Sequence, residues 1–409
     1  MSAYCSDRAP FWRKEPGLPL RLERISQQLG QMAQTIADAA PRQEDFLKLA
    51  QGYLHSVDAD ALRHKLVQQR QQQPRIPWLV AMPRGSLCNC VAPAALPTRF
   101  CVAGSDASSI APDRHSSVRY YVLNVGYALL TYGPQPDAVL GASSQLCFEE
   151  RDLYVFPDKR DVPVEGTLLG ARMEVESLRA LQQAFSQASQ PTVVLRDGPL
   201  ILWTLQNETE DIQQTLLRGL FDAMSWFRQN EVPLAGYISY TGARDVANSL
   251  RVWICQGRPN DCEGCKNSER EVCSALATIR DRDLFSFLKK GERTDLFGSS
   301  SQILEIYGEH RVDFFYMNVG GEIVRVEVPQ WVGTDRELLN LLHAAIHDQC
   351  QRSPGFPPYP PALLEAHEQA VISSPERRLV EEMVERALGQ HGYHITRSAK
   401  DYSKRRRGV

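Results

Sequence analysis

Residues 98–115 read TRFCVAGSDASSIAPDRH. A short apolar run, Phe100–Ala103, meets Gly104 and then Asp106, which is flanked by Ser105, Ser108 and Ser109. Small residues and turn formers directly after an apolar run predict the end of a buried strand. A carboxylate there sits on a rigid element and points out of the sheet. Residues 191–200, PTVVLRDGPL, repeat the arrangement: an apolar β-branched run ends in Asp197, followed by Gly198-Pro199. One such aspartate, taken alone, is most simply a loop cap. Two of them, about ninety residues apart, converge if their strands are neighbours in one sheet. Paired carboxylates bind hard cations such as Mg²⁺ or Mn²⁺ through oxygen. A two-metal site with such ligands performs in-line displacement on phosphodiesters. The pattern therefore constrains fold and chemistry together.

The length of 409 residues allows two or three domains, or one large decorated domain. The net charge of −3 gives no overall field toward nucleic acid, so any DNA contact must come from local basic patches. No apolar run approaches the roughly 20 residues of a membrane span. The first residues, MSAYCSDRAPFWRKEPG, lack the apolar core of a signal peptide. These features predict a cytoplasmic protein with no membrane partner.

From Leu20 the pattern turns helical, with Leu22, Ile25, Leu29, Met32 and Ile36 at alternating spacings of three and four. Such a stripe packs on its own domain or forms a dimer seam; two heptads favour the first. Further helical patches carry Phe46, Leu47, Leu49, Tyr53 and Leu54, then span about 59–73. Glutamine-rich residues 68–73 and Pro74 mark a boundary. Residues 118–132, VRYYVLNVGYALLTY, are strand-like and extend the Asp106 strand into an antiparallel meander. Residues 166–185 are helical and hold Glu174 and Glu176; residues 208–229 form a long amphipathic helix; PLAGYISY, 233–240, is the next strand. Residues 311–317 and 322–328 alternate around Asn318-Val319-Gly320-Gly321, the pattern of a β-hairpin. Thr334-Asp335-Arg336-Glu337 reads as a capping box for a helix over 335–351. Pro361 opens a helix containing His367, with Tyr359 just before it. A last helix from Ser374-Pro375 has Leu379, Met383, Val384 and Leu388 as its apolar face.

Four cysteines, Cys255, Cys262, Cys265 and Cys273, fall within nineteen residues as C-x6-C-x2-C-x7-C. Polar turn formers lie between them, and four thiolates meet the ligand count of a tetrahedral site. Zn²⁺ and an iron–sulfur cluster both suit them. Cys88, Cys90 and Cys101, without a nearby histidine, read as structural thiols.

SDASS after an apolar run, the later LRDGPL, the strand RVEVP and the segment YPPALLEAHEQAVIS, in that order, resemble the NurA family of DNA nucleases over roughly residues 76–409. The resemblance implies an RNase H-like core and a Mn²⁺-dependent (or Mg²⁺-dependent) deoxyribonuclease. It implies exonuclease action from 5′ ends, endonuclease action on single strands, a homodimer, and work in DNA end resection beside a HerA-type hexameric ATPase. Carried onto this sequence, it implies Asp106, Asp197 and a helical carboxylate as metal ligands, with Glu176 preferred over Glu174. It also places Tyr359 and His367 in the active site. Arg325 of EIVRVEVP is then a DNA contact positioned by Glu327, Arg244 a phosphate contact, and Lys404, Arg405, Arg406 and Arg407 a tail that tracks phosphates.

The sequence thus predicts an α/β protein: an RNase H-like mixed sheet with flanking helices, an N-terminal helical arm and a Cys-rich insertion. The expected divisions are an arm at 1–75, a nuclease core at 76–373 with the four-cysteine insertion at about 255–273, and a C-terminal helix and basic tail at 374–409. The alternative function is a non-catalytic DNA-end-binding or scaffold subunit of an ATPase complex. Such a subunit has no need of convergent carboxylates, which repel phosphate.

Overall fold

The computed structural model describes residues 22–71, 76, 78–114, 116–156, 159–256, 259, 262, 265 and 270–396. Nine strands form one mixed sheet: β1 (Ala81–Pro83), β2 (Phe100–Ile110), β3 (Tyr121–Tyr132), β4 (Asp137–Cys147), β5 (Thr192–Asp197), β6 (Leu234–Ile238), β7 (Phe297–Ser299), β8 (Val312–Asn318) and β9 (Ile323–Pro329). Their spatial order is β1-β7-β8-β9-β6-β5-β2-β3-β4. β2, β3 and β4 are an antiparallel meander, while β5 and β6 add to β2 in parallel. A helix, Thr167–Ala184, crosses from β4 to β5, and another, Glu210–Gln229, from β5 to β6. This is the RNase H-like arrangement, extended beyond β6 by the antiparallel strands β9, β8, β7 and β1.

Alternation along the central strands separates two cores. Cys101, Ala103 and Val194 face the Thr167–Ala184 and Glu210–Gln229 helices, packing with Val175, Leu178, Leu220 and Phe227. Phe100, Val102, Val193 and Leu195 face the other way, against the Arg336–Arg352 and Pro361–Ala370 helices through Leu342, Ile346, Ala362 and Leu363. A third core joins Ala50, Leu54, Leu62 and Leu66 of the N-terminal helices to Val246, Leu250, Phe285 and Phe314. No helix among the described residues is long and apolar enough to cross a membrane.

Several local expectations change. The first two helical patches are one helix, Leu22–Ser56, continuous through Pro41. Its stripe is not covered by the other described residues: Leu22, Leu29, Met32 and Ile36 are each more than half exposed. The last helix, Ser374–Gln390, has no buried residue, so the face with Leu379 and Met383 also lacks cover from the described residues. Ser373 caps that helix in a full capping box with Glu376. At Arg336–Arg352 the cap is Asp335, whose carboxylate accepts from the Glu337 and Leu338 N–H groups, rather than a box from Thr334. β4 carries no strand signal in the sequence because DAVLGASSQLC is an exposed edge strand with small residues and no apolar alternation.

Candidate active site

β2 and β5 are hydrogen-bonded parallel neighbours, in register from Cys101 opposite Thr192 to Ser105 opposite Arg196. The next residues are Asp106 and Asp197. Since side chains alternate in strands, both carboxylates lie on the face of Val102 and Leu195, beneath the Pro361–Ala370 helix. Asp197 ends its strand as expected. Asp106 does not: β2 runs on to Ile110, because the small polar residues after it still pair with β3, Asp106 opposite Gly126 and Ser108 opposite Asn124. The carboxylate is therefore held within a ladder.

Each aspartate has one partner from the C-terminal segment. Asp106 Oδ2 lies 2.7 Å from His367 Nδ1, and its Oδ1 accepts the Ala107 N–H at 2.7 Å. The Tyr359 hydroxyl donates to Asp197 Oδ1 at 2.6 Å. The Tyr359 ring packs edge-on against Tyr237 of β6, centroids 5.1 Å apart. Two glycines let the His367 helix approach this closely. A Cβ on Gly104 would stand 2.6 Å from the Ala362 carbonyl carbon, and one on Gly126 would stand 2.7 Å from that of Gln369. Asn124 and Ser108 then fasten the end of the helix: the Asn124 amide donates to the carbonyls of Gln369 and Ala370, and the Ser108 hydroxyl to that of Ala370.

Burial raises the Asp197 carboxyl above the ordinary carboxylate range and Asp106 raises it further, against the Tyr359 hydrogen bond and the charges of Arg196 and His367. Burial and Asp197 likewise hold the Tyr359 phenol well above its ordinary value, so it remains a donor. Two such carboxylates suit a hard divalent cation, whose charge offsets both desolvation and mutual repulsion. Mg²⁺ in particular is commonly held by one or two carboxylates, with water and substrate phosphate completing its shell. Among the described residues no group of three or more His, Cys, Asp or Glu side chains is close enough to hold an ion.

The turn after Asp197 is held from below. Glu327 Oε2 accepts the N–H groups of Leu200 and Ile201 at 2.9 and 3.1 Å, and the Tyr307 hydroxyl donates to the Leu200 carbonyl at 3.0 Å. The sequence profile of the NurA domain matches residues 101–372, from β2 through the His367 helix. The chain belongs to the NurA domain family. The NurA nuclease structure from Sulfolobus solfataricus is 12% identical, over 91% of this chain and 98% of its own, with a TM-score of 0.49. A structure of NurA with manganese is 10% identical, over 86% and 98%, with a TM-score of 0.35. Comparison with curated proteins returns no match.

Within this NurA domain, other expected site residues are placed differently. Glu176 is not brought to the aspartates. Its helix packs on the opposite face of the sheet, and its carboxylate pairs with Arg179 at 2.7 Å beside a cavity of about 190 Å³ that Arg151 and Arg172 also line. Glu174, two residues earlier, instead pairs with the guanidinium of Arg196, the residue before Asp197 on β5. Burial lowers Arg196 to about 10, where it is still charged at neutral pH.

Arg325 does not stand on the surface, where a DNA contact was expected. It is 3% exposed, 3.0 Å from both Asp245 and Glu327, with its guanidinium 3.6 Å from the centroid of the Phe314 ring. Charges alternating with valines in RVEVP signalled not a solvent face but a strand buried on both sides, where ions must be paired. Glu327 does position Arg325, through Oε1 at 3.0 Å, and the sequence offered no sign that its other oxygen holds the Asp197 turn. Arg244 is exposed and precedes the Asp245–Ile254 helix, just beyond β6. Lys404, Arg405, Arg406 and Arg407 lie outside the described residues.

The four cysteines form no metal-holding group among the described residues. Cys255 follows the Asp245–Ile254 helix, Cys273 lies in the Arg270–Leu276 helix, and the Cys262 thiol is raised first by burial and then by Cys273, Cys255 and Cys265 nearby. Lys65 Nζ donates to the carbonyls of Trp253 and Cys255, at 2.7 and 2.8 Å. Cys101 is buried, and the Cys88 thiol donates to the Leu54 carbonyl.

Proposed function

We propose that this chain is a divalent-metal-dependent deoxyribonuclease that hydrolyses phosphodiesters at DNA ends and in single strands. The observation that carries this is the pairing of Asp106 with His367 and of Asp197 with Tyr359 on adjacent parallel strands. Asp106 and Asp197 would hold Mn²⁺ or Mg²⁺. Such a cation supplies activation of water and stabilisation of the leaving oxygen. His367 fixes the rotamer of Asp106 and carries a proton at Nδ1 when it donates to that carboxylate. Its ring is more than half exposed, so it is also placed to reach a phosphate. Tyr359 donates to Asp197 Oδ1 and leaves Oδ2 for a cation.

The same proposal includes a cytoplasmic homodimer that works with a HerA-type hexameric ATPase in end resection. What supports it is the family resemblance and the exposed stripe through Leu22, Leu29 and Met32, which a second copy would cover. For Cys255, Cys262, Cys265 and Cys273 we propose a Zn²⁺ or iron–sulfur site, supported by their spacing in the sequence. Metal analysis and an absorption spectrum of anaerobically purified protein test it; absence of both metals at near-stoichiometric levels refutes it.

The central test is cleavage of labelled single- and double-stranded DNA with Mn²⁺, Mg²⁺ or chelator. Asp106→Asn and Asp197→Asn should each abolish cleavage while leaving the melting temperature of the metal-free protein unchanged or higher, because burial already disfavours charge on Asp197. DNA binding without metal-supported cleavage would instead establish the non-catalytic alternative.

A further inference from the structure

Tyr240 and Phe356 are the two most exposed large hydrophobic side chains among the described residues, at 72% and 84%. They converge on one feature. Tyr240 follows β6 by two residues, and β6 pairs Tyr237 directly with Asp197. Its backbone adopts a φ of +45°, a left-handed conformation that a bulky residue takes rarely. The turn is held there by Glu322, from the β8–β9 hairpin, which accepts from the Tyr240 N–H and from the Ser239 hydroxyl, each at 2.9 Å. Phe356 lies three residues before Tyr359, against the same hairpin. A Cβ on Gly321 would come within 3.1 Å of its ring. Both aromatics thus flank one turn, and that turn borders the strand end carrying the Asp197–Tyr359 pair.

Neither ring is covered as a core residue would be. One face of Tyr240 carries the guanidinium of Arg282, 3.7 Å from its centroid, and Arg282 also donates to the Tyr240 carbonyl at 3.1 Å. The ring is therefore clamped, yet still mostly open to solvent. Exposed Arg244 stands four residues further along, and Lys290 lies along Gly320 of the hairpin. Fixed aromatic faces interleaved with cations are the chemistry that binds an unpaired strand: bases stack on the rings and phosphates meet the charges. A duplex keeps its base faces stacked internally and offers them only at its ends.

We infer that Tyr240 and Phe356 form a stacking rim for unpaired DNA bases beside the cleavage site. The assignment rests on the nuclease reading for its location, and on exposure, clamping and charge for its chemistry. The rim selects single strands and frayed ends, and holds the strand while its backbone lies over Asp106 and Asp197.

The test uses the full chain carrying Asp106→Asn, so that substrate survives. Binding is read by anisotropy of a labelled oligothymidylate and of a duplex closed by hairpins at both ends. A 2-aminopurine base in a single-stranded oligonucleotide reports stacking directly. Tyr240→Ala and Phe356→Ala should each weaken single-strand binding by about five-fold or more, with loss of the 2-aminopurine quench. Tyr240→Trp should retain both, and closed-duplex binding should change little. Both positions are on the surface, and a thermal melt of each variant checks the fold. Parental single-strand affinity and quench in both alanine variants overturn the inference, as does an equal loss for the closed duplex, whichever partner the aromatics then serve. The nuclease reading is separated by assaying the chain with Asp106 intact. Metal-dependent cleavage with no role for the aromatics refutes only the rim. Aromatic-dependent stacking without any cleavage supports the rim and refutes only the nuclease reading.

Discussion

Gly126→Ala is a one-methyl change that should disable the site from beneath. Gly126 sits directly opposite Asp106 in the β2–β3 ladder, and the His367 helix lies on it. An added Cβ would be 2.7 Å from the Gln369 carbonyl carbon and closer still to Ala366 O and Ala370 N, where ordinary contact begins at 3.4 Å. All three obstacles are backbone, so no side chain can swing aside. The helix must lift by about 1 Å, which stretches the 2.7 Å His367–Asp106 contact beyond hydrogen-bond range. Overpacking of this kind costs about 1–3 kcal/mol. A misplacement of about 1 Å in a catalytic constellation costs on the order of a hundred-fold in rate. The assay pairs metal-supported cleavage of single-stranded DNA with a melting curve. Gly170→Ala is the control. Its Cβ meets nothing within 4 Å on the Thr167–Ala184 helix, so that variant should keep full cleavage and gain up to about 1 kcal/mol. Wild-type cleavage and melting in Gly126→Ala would refute the claim that these glycines set the depth of the histidine.

Arg325→Met leaves the buried carboxylates of Asp245 and Glu327 without their cation, and denaturant titration should show a loss of about 3–5 kcal/mol. The folded fraction should bind DNA with unchanged affinity; a selective loss of binding at full stability would restore Arg325 as a contact. Tyr359→Phe removes the hydrogen bond that holds the Asp197 carboxyl down. Cleavage should fall roughly ten-fold or more, the worth of a hydrogen bond to a charged group, with a higher metal concentration needed for half-maximal rate. His343, buried in the Arg336–Arg352 helix with Nε2 2.7 Å from the Gly291 carbonyl, is lowered by burial from 6.5 to about 4. A depressed histidine contributes stability that is complete above about 6.5 and lost as pH falls through about 4. That gap corresponds to about 3 kcal/mol, and His343→Gln should flatten the acid limb of a stability-versus-pH curve measured over this window.

Much of the site is local information. An apolar run meeting a carboxylate predicts Asp197 at a strand end from Leu195 and Gly198 alone, because apolar runs bury and glycine turns. Pro361 announces the His367 helix in the same way, and the order of short motifs indicated the family. What the chain could not reveal was which face each side chain would meet. A strand's alternation is visible, but the layer covering either face comes from residues remote in sequence. The Pro361–Ala370 helix, more than two hundred residues after β2, covers Asp106, whereas the Thr167–Ala184 helix covers the other face and takes Glu176 with it. In the sequence Arg325 reads as a free cation, but β6 and β8 enclose its strand on both sides, and Asp245 and Glu327 offset the lost water as its charged partners. Gly104 and Gly126 read as punctuation in the sequence and serve in the fold as seats, since the absence of a Cβ matters only once a backbone arrives to fill the space. Local chemistry therefore determined the candidate groups, and long-range packing decided which of them meet, because burial and contact depend on chain segments that no short stretch contains.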